Sequence, residues 1–350
     1  MGLSKFLSRC FLAVVPVLFG ASQLYAQSEV PILSGGMGIL RETDGGATFF
    51  QPIITPVLAV PIGDRWLIET RADLRGFYSR EDGTSGPYEG QFFSTLEYAQ
   101  VDYNATSWLT ITGGRFLTPF NMYNERLTPI WIQNLQDAPF IYSIGNSGTA
   151  ANLGGMARGA VTIRPDLNFL YTVYFSAASN VSNFESERQF GGRWVVFLPQ
   201  KRLEVGASYQ RLLQGQHMNS EGAYVSWQPY RAPLDLKAEY AHAPDGQGYW
   251  IEAAYRLSQF GGAYSLLGRL APVVRVEQFF RLQAEPGDGL PGRNAERVDF
   301  GLNYYLPHAV RLNASYARQL EHGANMNVWN LGITYRFLFP LPFWPKGGNG

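Results

Sequence analysis

Cysteine is all but missing from this chain: Cys10 stands alone, near the N-terminus. A disulfide framework and a thiolate metal site are thereby excluded. Charge is sparse too, at 16% Asp, Glu, Lys and Arg, well under the quarter or so usual in a soluble domain. Neither sign dominates, with 28 basic and 28 acidic residues, so the balance gives no footing for nucleic acid. Long apolar runs are absent apart from Phe11 to Phe19, which is too short to cross about 30 Å of hydrocarbon. Histidine is scarce, and His217, His242, His308 and His322 fall in turns, loops or strand ends. No HExxH, GxSxG, GxxxxGK[ST] or CxxC pattern occurs, so hydrolase, nucleotide and metal readings have no support and no cofactor is expected. Ser315 lies on the polar face of its segment, which also removes a lipase built on the apolar face.

The first residues read as a secretory signal: Lys5 and Arg9, then the apolar run, then Leu24-Tyr25-Ala26 as a small-residue cleavage site. The expected division is a signal peptide over 1–26, a β-barrel over 27–339 and a Pro/Gly-rich tail over 340–350. Cys10 leaves with the signal, so it is neither a lipid anchor nor a disulfide partner.

Aromatics are abundant, at 15% with 20 tyrosines and 23 phenylalanines. Aromatic girdles at both interfaces are a mark of barrels that cross the outer membrane. Strict alternation recurs along the chain and is the main signal. Val298, Phe300, Leu302 and Tyr304 oppose Arg297, Asp299, Gly301 and Asn303; Ile68, Thr70, Ala72 and Leu74 oppose Glu69, Arg71, Asp73 and Arg75. Apolar outside and polar inside fits lipid on one face and water on the other. Connections alternate short and long, which places the short ones at the periplasmic end. Residues 258–269 break that rhythm with a long connection where a short one is due. The count is fifteen clear strands from Thr48 to Phe339, and Gly35 to Arg41 supplies a sixteenth, since bacterial single-chain barrels have even numbers. A TonB-type transporter is excluded by the length and the lack of a plug.

On that count the third outer loop follows Gly113-Gly114-Arg115 and runs for roughly thirty residues, against a usual connection of about 4–6. Phe116, Phe120, Tyr123, Trp131, Phe140 and Tyr142 demand a surface to pack on, while Arg115, Glu125, Arg126 and Asp137 demand water or partners. Such a loop suits a wet bore, with those four charges at the constriction and Trp131, Phe140 and Tyr142 against the wall. For any one of these four charges a salt bridge tying the loop to the wall is the competing role. The wall itself is expected to line the lumen with Glu69, Arg71, Asp73, Arg75, Arg158, Arg275, Glu277 and Arg311. Three local irregularities accompany this: Pro52 and Pro56 inside a strand, a bulge at Gly113-Gly114 that turns Arg115 inward, and Glu97 on the outer face at a subunit contact.

Several segments resemble the phosphate-selective porin superfamily. They are Gly114-Arg-Phe-Leu-Thr-Pro-Phe-Asn-Met-Tyr-Asn-Glu-Arg126, Gly248-Tyr-Trp-Ile-Glu-Ala-Ala-Tyr-Arg-Leu257, Pro272-Val-Val-Arg-Val-Glu277 and Arg297-Val-Asp-Phe-Gly-Leu-Asn-Tyr-Tyr305. The resemblance implies a sixteen-stranded antiparallel barrel, a homotrimer, and a third loop folded into the pore. The chain lacks the arginine and lysine excess that makes named members anion-selective, so phosphate selectivity is not carried over. It also ends in a tail rather than a terminal aromatic. The expectation is therefore a bacterial outer-membrane porin, an all-β passive channel for small polar or ionic solutes, with lipid as its surroundings. The alternative is a structural or adhesive barrel without an open channel.

Overall fold

A computed structural model describes residues 30–44, 46–81, 87–144, 150–181, 184–215, 217–262, 265–283, 289–321 and 325–341. The signal segment 1–26, His322 and the tail beyond Leu341 lie outside the described residues. Sixteen strands follow one another among the described residues. The first eight are β1 (Ile32–Asp44), β2 (Ala47–Ile62), β3 (Trp66–Glu81), β4 (Glu89–Thr106), β5 (Leu109–Leu117), β6 (Ala151–Arg164), β7 (Leu167–Ala177) and β8 (Gln189–Leu198). The others are β9 (Leu203–Leu212), β10 (Asn219–Trp227), β11 (Leu234–Ala243), β12 (Gly246–Tyr255), β13 (Leu270–Arg281), β14 (Ala295–Tyr305), β15 (Val310–Glu321) and β16 (Met326–Pro340).

Each strand pairs antiparallel with its sequence neighbour, and β1 closes on β16 from Ile32 opposite Pro340 to Asp44 opposite Val328. Closure leaves no strand edge unpaired, the condition for placing backbone in hydrocarbon. The sixteenth strand expected near Gly35 is thus β1, extended at both ends. Pro340 belongs to β16 rather than to the tail, and Leu341 N–H donates to Pro31 O at 2.8 Å.

Alternation sorts the side chains as the pattern demands. Ile111, Val173, Phe175, Val205, Ile251, Val274, Val276, Phe300, Leu331 and Ile333 are exposed, while their in-between neighbours such as Thr112, Ser176, Arg275, Glu277, Asp299 and Asn330 are buried. Apolar outside and polar inside inverts the soluble rule and is the barrel arrangement. Outer-face aromatics pair near the strand ends, as in Trp66–Tyr103 and Tyr316–Trp329 with ring centroids 4.5 and 4.7 Å apart.

Pro52 and Pro56 both sit in β2. Pairing with β1 runs unbroken past them, whereas pairing with β3 skips from Phe50 to Ile53 and from Ile54 to Val57 without changing register. The missing N–H groups open the ladder locally on one side only. The connection 256–269 is indeed long, folded into two 3-10 turns, Leu257–Phe260 and Leu267–Arg269. At the opposite end β11 and β12 are joined tightly through Pro244 and Asp245, so not every connection there is long.

Candidate functional site

Between β5 and β6 the chain leaves the barrel wall and forms a π-helical turn, Tyr123–Leu127, and a 3-10 turn, Phe140–Ser143. Its neck is tied by Asn124, whose Nδ2 donates to Thr118 O at 3.0 Å and Ala150 O at 2.7 Å. From there its polar groups meet strands far around the barrel. Arg193 on β8 donates to Asn121 O at 2.6 Å and pairs with Glu125 at 2.6 Å. Arg126 pairs with Glu204 on β9 at 2.5 Å. Glu239 on β11 accepts from Met122 N and Tyr123 N, both at 2.8 Å, and from Trp250 Nε1 at 3.2 Å. Glu277 on β13 accepts from Phe140 N at 2.8 Å, and Arg275 donates to Asp137 O at 2.9 Å. Arg297 on β14 and Asn330 on β16 hold the Asp137 carboxylate. Arg311 on β15 donates to Gln133 O and Ile130 O, each at 2.6 Å. Arg71 on β3 completes the set by donating to Thr128 Oγ1 at 3.1 Å.

Apolar contacts reinforce these bonds. Phe120, Met122, Tyr123 and Ile141 of the loop bury themselves with Trp250 and Phe279 of the wall, with Phe140 and Tyr142 packed alongside. Trp131 packs on Leu40, Ile53 and Ile130. Burial pushes the Tyr142 phenol up to about 12. It therefore stays a donor, to Asn124 Oδ1 at 3.3 Å. Glycines on the wall leave room for the loop. A methyl group at Gly36 would overlap the Trp131 ring, at Gly222 the Asn121 amide and at Gly301 Leu135, while at Gly248 it would meet the wall's Gln278 O before Ile141, and at Gly332 the wall's Asn313 amide before that of Gln136.

Behind the loop lies a buried ionic cluster. Arg275 reaches Glu277 at 3.6 Å and Asp299 at 3.5 Å; Arg297 reaches Asp299 at 2.8 Å and Glu277 at 3.7 Å, and also holds Asp137. Arg275, Glu277 and Asp299 are at most 1% exposed. Charges this deep are tolerated only with several partners each.

The sequence expectations fare unevenly. Glu125, Arg126 and Asp137 are brought into the loop and all three pair with the wall, at Arg193, Glu204 and Arg297, with Arg126 the most exposed of them. Arg115 is a correction. Pairing of β5 with β4 runs in step through Gly113, Gly114 and Arg115, so no bulge turns the side chain inward. Arg115 shares its pairing face with Ala99 and the exposed Val101, and its guanidinium donates to Leu96 O at 3.0 Å and Glu185 O at 2.7 Å. The bulge lies one strand away: register shifts from Arg71 opposite Tyr98 to Ala72 opposite Leu96, leaving Glu97 extra. That residue turns to pair with Arg71, which corrects its expected place on the outer face.

Of the expected lumen residues, Arg71, Arg275, Glu277 and Arg311 are engaged with the loop. Glu69, Asp73, Arg75 and Arg158 stand clear of it: Arg75 pairs with Asp73 at 2.9 Å, Arg158 with Asp102 at 3.3 Å, and Glu69 accepts from Gln100 at 3.5 Å. Sequence reading missed Arg193, because the preceding Gly191-Gly192 carries no side chain to mark a face. The alternate, exposed Phe190, Trp194 and Val196 on the other β8 face were the available signal.

No family model matches the chain, and no curated protein matches it in sequence. Solved structures do match in fold. OmpF of Salmonella typhi, in complex with daunomycin, aligns at TM-score 0.56 and 14% identity over 88% of this chain and 97% of that one. OprB of Pseudomonas putida at low pH aligns at TM-score 0.55 and 11% identity, over 88% and 92%. An anion-selective porin from Comamonas acidovorans aligns at TM-score 0.54 and 10% identity, over 88% and 99%. At these identities the likeness is one of fold, and the chain is a closed sixteen-stranded barrel of the porin type.

Proposed function

We propose that this protein is a passive porin of the bacterial outer membrane, admitting small polar or ionic solutes through a water-filled bore narrowed by its third loop. The observation that carries the reading is the loop itself. One connection bonded to β3, β8, β9 and β11 through β16 can reach them all only from inside the closed wall. The charges standing clear of it, on β3 through β6, then line the remaining passage, and Arg126 with Glu204 marks the loop's edge. Selectivity would follow from width and charge at that edge. Kinship with the phosphate-selective superfamily and assembly as a homotrimer belong to the same proposal, resting on the segments quoted above. Reconstitution in planar bilayers tests the channel: stepwise conductance increments support it, and a folded barrel that inserts without conducting refutes it. Native mass spectrometry of the detergent-extracted protein tests the trimer.

A further inference from the structure

We propose that the lipid face of this barrel holds a binding site for an anionic phospholipid, its phosphate on Arg41 and Arg80 and one acyl chain in a groove beside them. The inference rests on the outer-membrane placement above and not on whether the bore conducts. Alternation sends the odd-numbered residues of β1 and β16, and the even-numbered residues of β2, β3 and β15, to the outer face. Over those five strands that face carries Arg41, Arg80 and Arg318 and no carboxylate. Arg41 lies over the Phe50 ring at 5.9 Å and Arg80 over the Tyr88 ring at 4.8 Å, while Arg318 donates to Asn327 Oδ1 at 2.7 Å. Among the described residues none of the three has an ion pair. Their height follows from the aromatics around them. Phe50 and Tyr88, with ring centroids 5.2 Å apart, and Tyr316 and Trp329, 4.7 Å apart, stand toward the long-loop end of these strands. Such a belt sits at the headgroup level, where lipid phosphates lie.

The groove adjoins Arg41. One row of paired residues crosses the outer face from Leu302 through Ala314, Leu331 and Arg41 to Phe50 and Tyr78. Ala314 reaches little beyond the backbone, whereas Leu302 and Leu331 stand 44% and 51% exposed on either side of it. The step down leaves an open apolar hollow of about 500 Å³, continued by Leu312, Ile333 and Ile39 toward the short-turn end. It therefore runs from the headgroup level into hydrocarbon, the direction of an acyl chain. Within lipid a groove adds only packing, so the charges supply the selectivity. A guanidinium lying over an aromatic face keeps its edge donors free, and those donors match phosphate oxygens. A zwitterionic lipid would bring a further cation to a face that already holds three. A second copy docked by the same face would bring three more.

The test is native mass spectrometry of the full chain, purified in detergent and titrated with phosphatidylglycerol or phosphatidylcholine. Phosphatidylglycerol is expected to bind about tenfold more tightly or better. Arg41→Gln combined with Arg80→Gln should remove most of that preference, and either change alone should remove part of it. Ala314→Phe fills the groove and should weaken both lipids. Resistance to SDS before heating reports which variants are folded. Equal retention of the two lipids by the parent protein, or an unchanged preference in folded arginine variants, overturns the inference. So does an oligomer that excludes both lipids and falls apart in Ala314→Phe, which would give the groove to a second copy. Planar-bilayer currents decide the channel reading separately, since these outward residues leave the bore untouched.

Discussion

At the scale of single residues, Glu239 gathers two backbone amides and an indole N–H on one buried carboxylate. Glu239→Leu strands all three donors, and an unmatched buried donor costs about 1–3 kcal/mol. The start of the loop should come free, read as rapid proteolysis within residues 120–127 and a noisier current. Glu239→Gln keeps an acceptor and should sit between the two. A quiet, protease-resistant Glu239→Leu channel would show that the pin is dispensable. The two loop-flanking arginines make a second comparison. Arg126→Ala removes an exposed positive charge beside Glu204 and should move the reversal potential toward cations, with a modest rise in conductance. Arg115→Ala should leave the reversal potential where it is and instead loosen the 184–186 segment that its guanidinium holds. That Arg126 belongs to a packed loop was legible in sequence, since it stands among aromatics in a connection too long to be a plain one. Arg115 was not, because a glycine pair hides the phase and only the register against β4 decides the face. Glu97 failed likewise: a bulge is fixed by two strands together, and neither sequence alone announces it.

At the scale of the element, the third loop is a fixed part rather than a flap. Its charges bond to strands more than a hundred residues away in places, and its apolar side chains share a cluster with Trp250 and Phe279. Deleting residues 123–145 should raise single-channel conductance and weaken discrimination between ions. The barrel should still assemble, because ladder hydrogen bonds hold the wall and water can solvate the charges that the loop uncovers. A deletion variant with the parent's conductance would remove the loop from the pore. The loop's length and aromatic content announced its importance, and the packing of Trp131, Phe140 and Tyr142 followed from the need to bury rings. The partners did not. Which carboxylate meets which arginine depends on the shear of the barrel, a quantity that periodicity does not contain.

At the scale of the whole molecule, strand number was readable because alternation has a period of two and each strand repeats it. Closure set by β1 was harder, since Gly35, Gly36 and Gly38 interrupt the alternation in that strand. The two-faced wall makes a direct prediction. In the chain without Cys10, Glu69→Cys and Asp73→Cys should react in intact outer membranes with a small water-soluble thiol reagent. Ile68→Cys and Leu74→Cys, which face lipid, should not. Labelling in the reverse pattern would put the barrel's register out by one residue.

The five bare glycines under the loop have a consequence for how this barrel can be altered. Gly36, Gly222, Gly248, Gly301 and Gly332 make the inner surface a mould of one particular loop. Loop and wall are therefore not interchangeable modules. A foreign third loop grafted between Leu117 and Ala151 would meet hollows shaped for Trp131, Asn121, Ile141, Leu135 and Gln136 and sit loosely over them, whereas filling the hollows with larger residues would evict the native loop. Re-engineering the aperture requires recasting both halves of the mould at once.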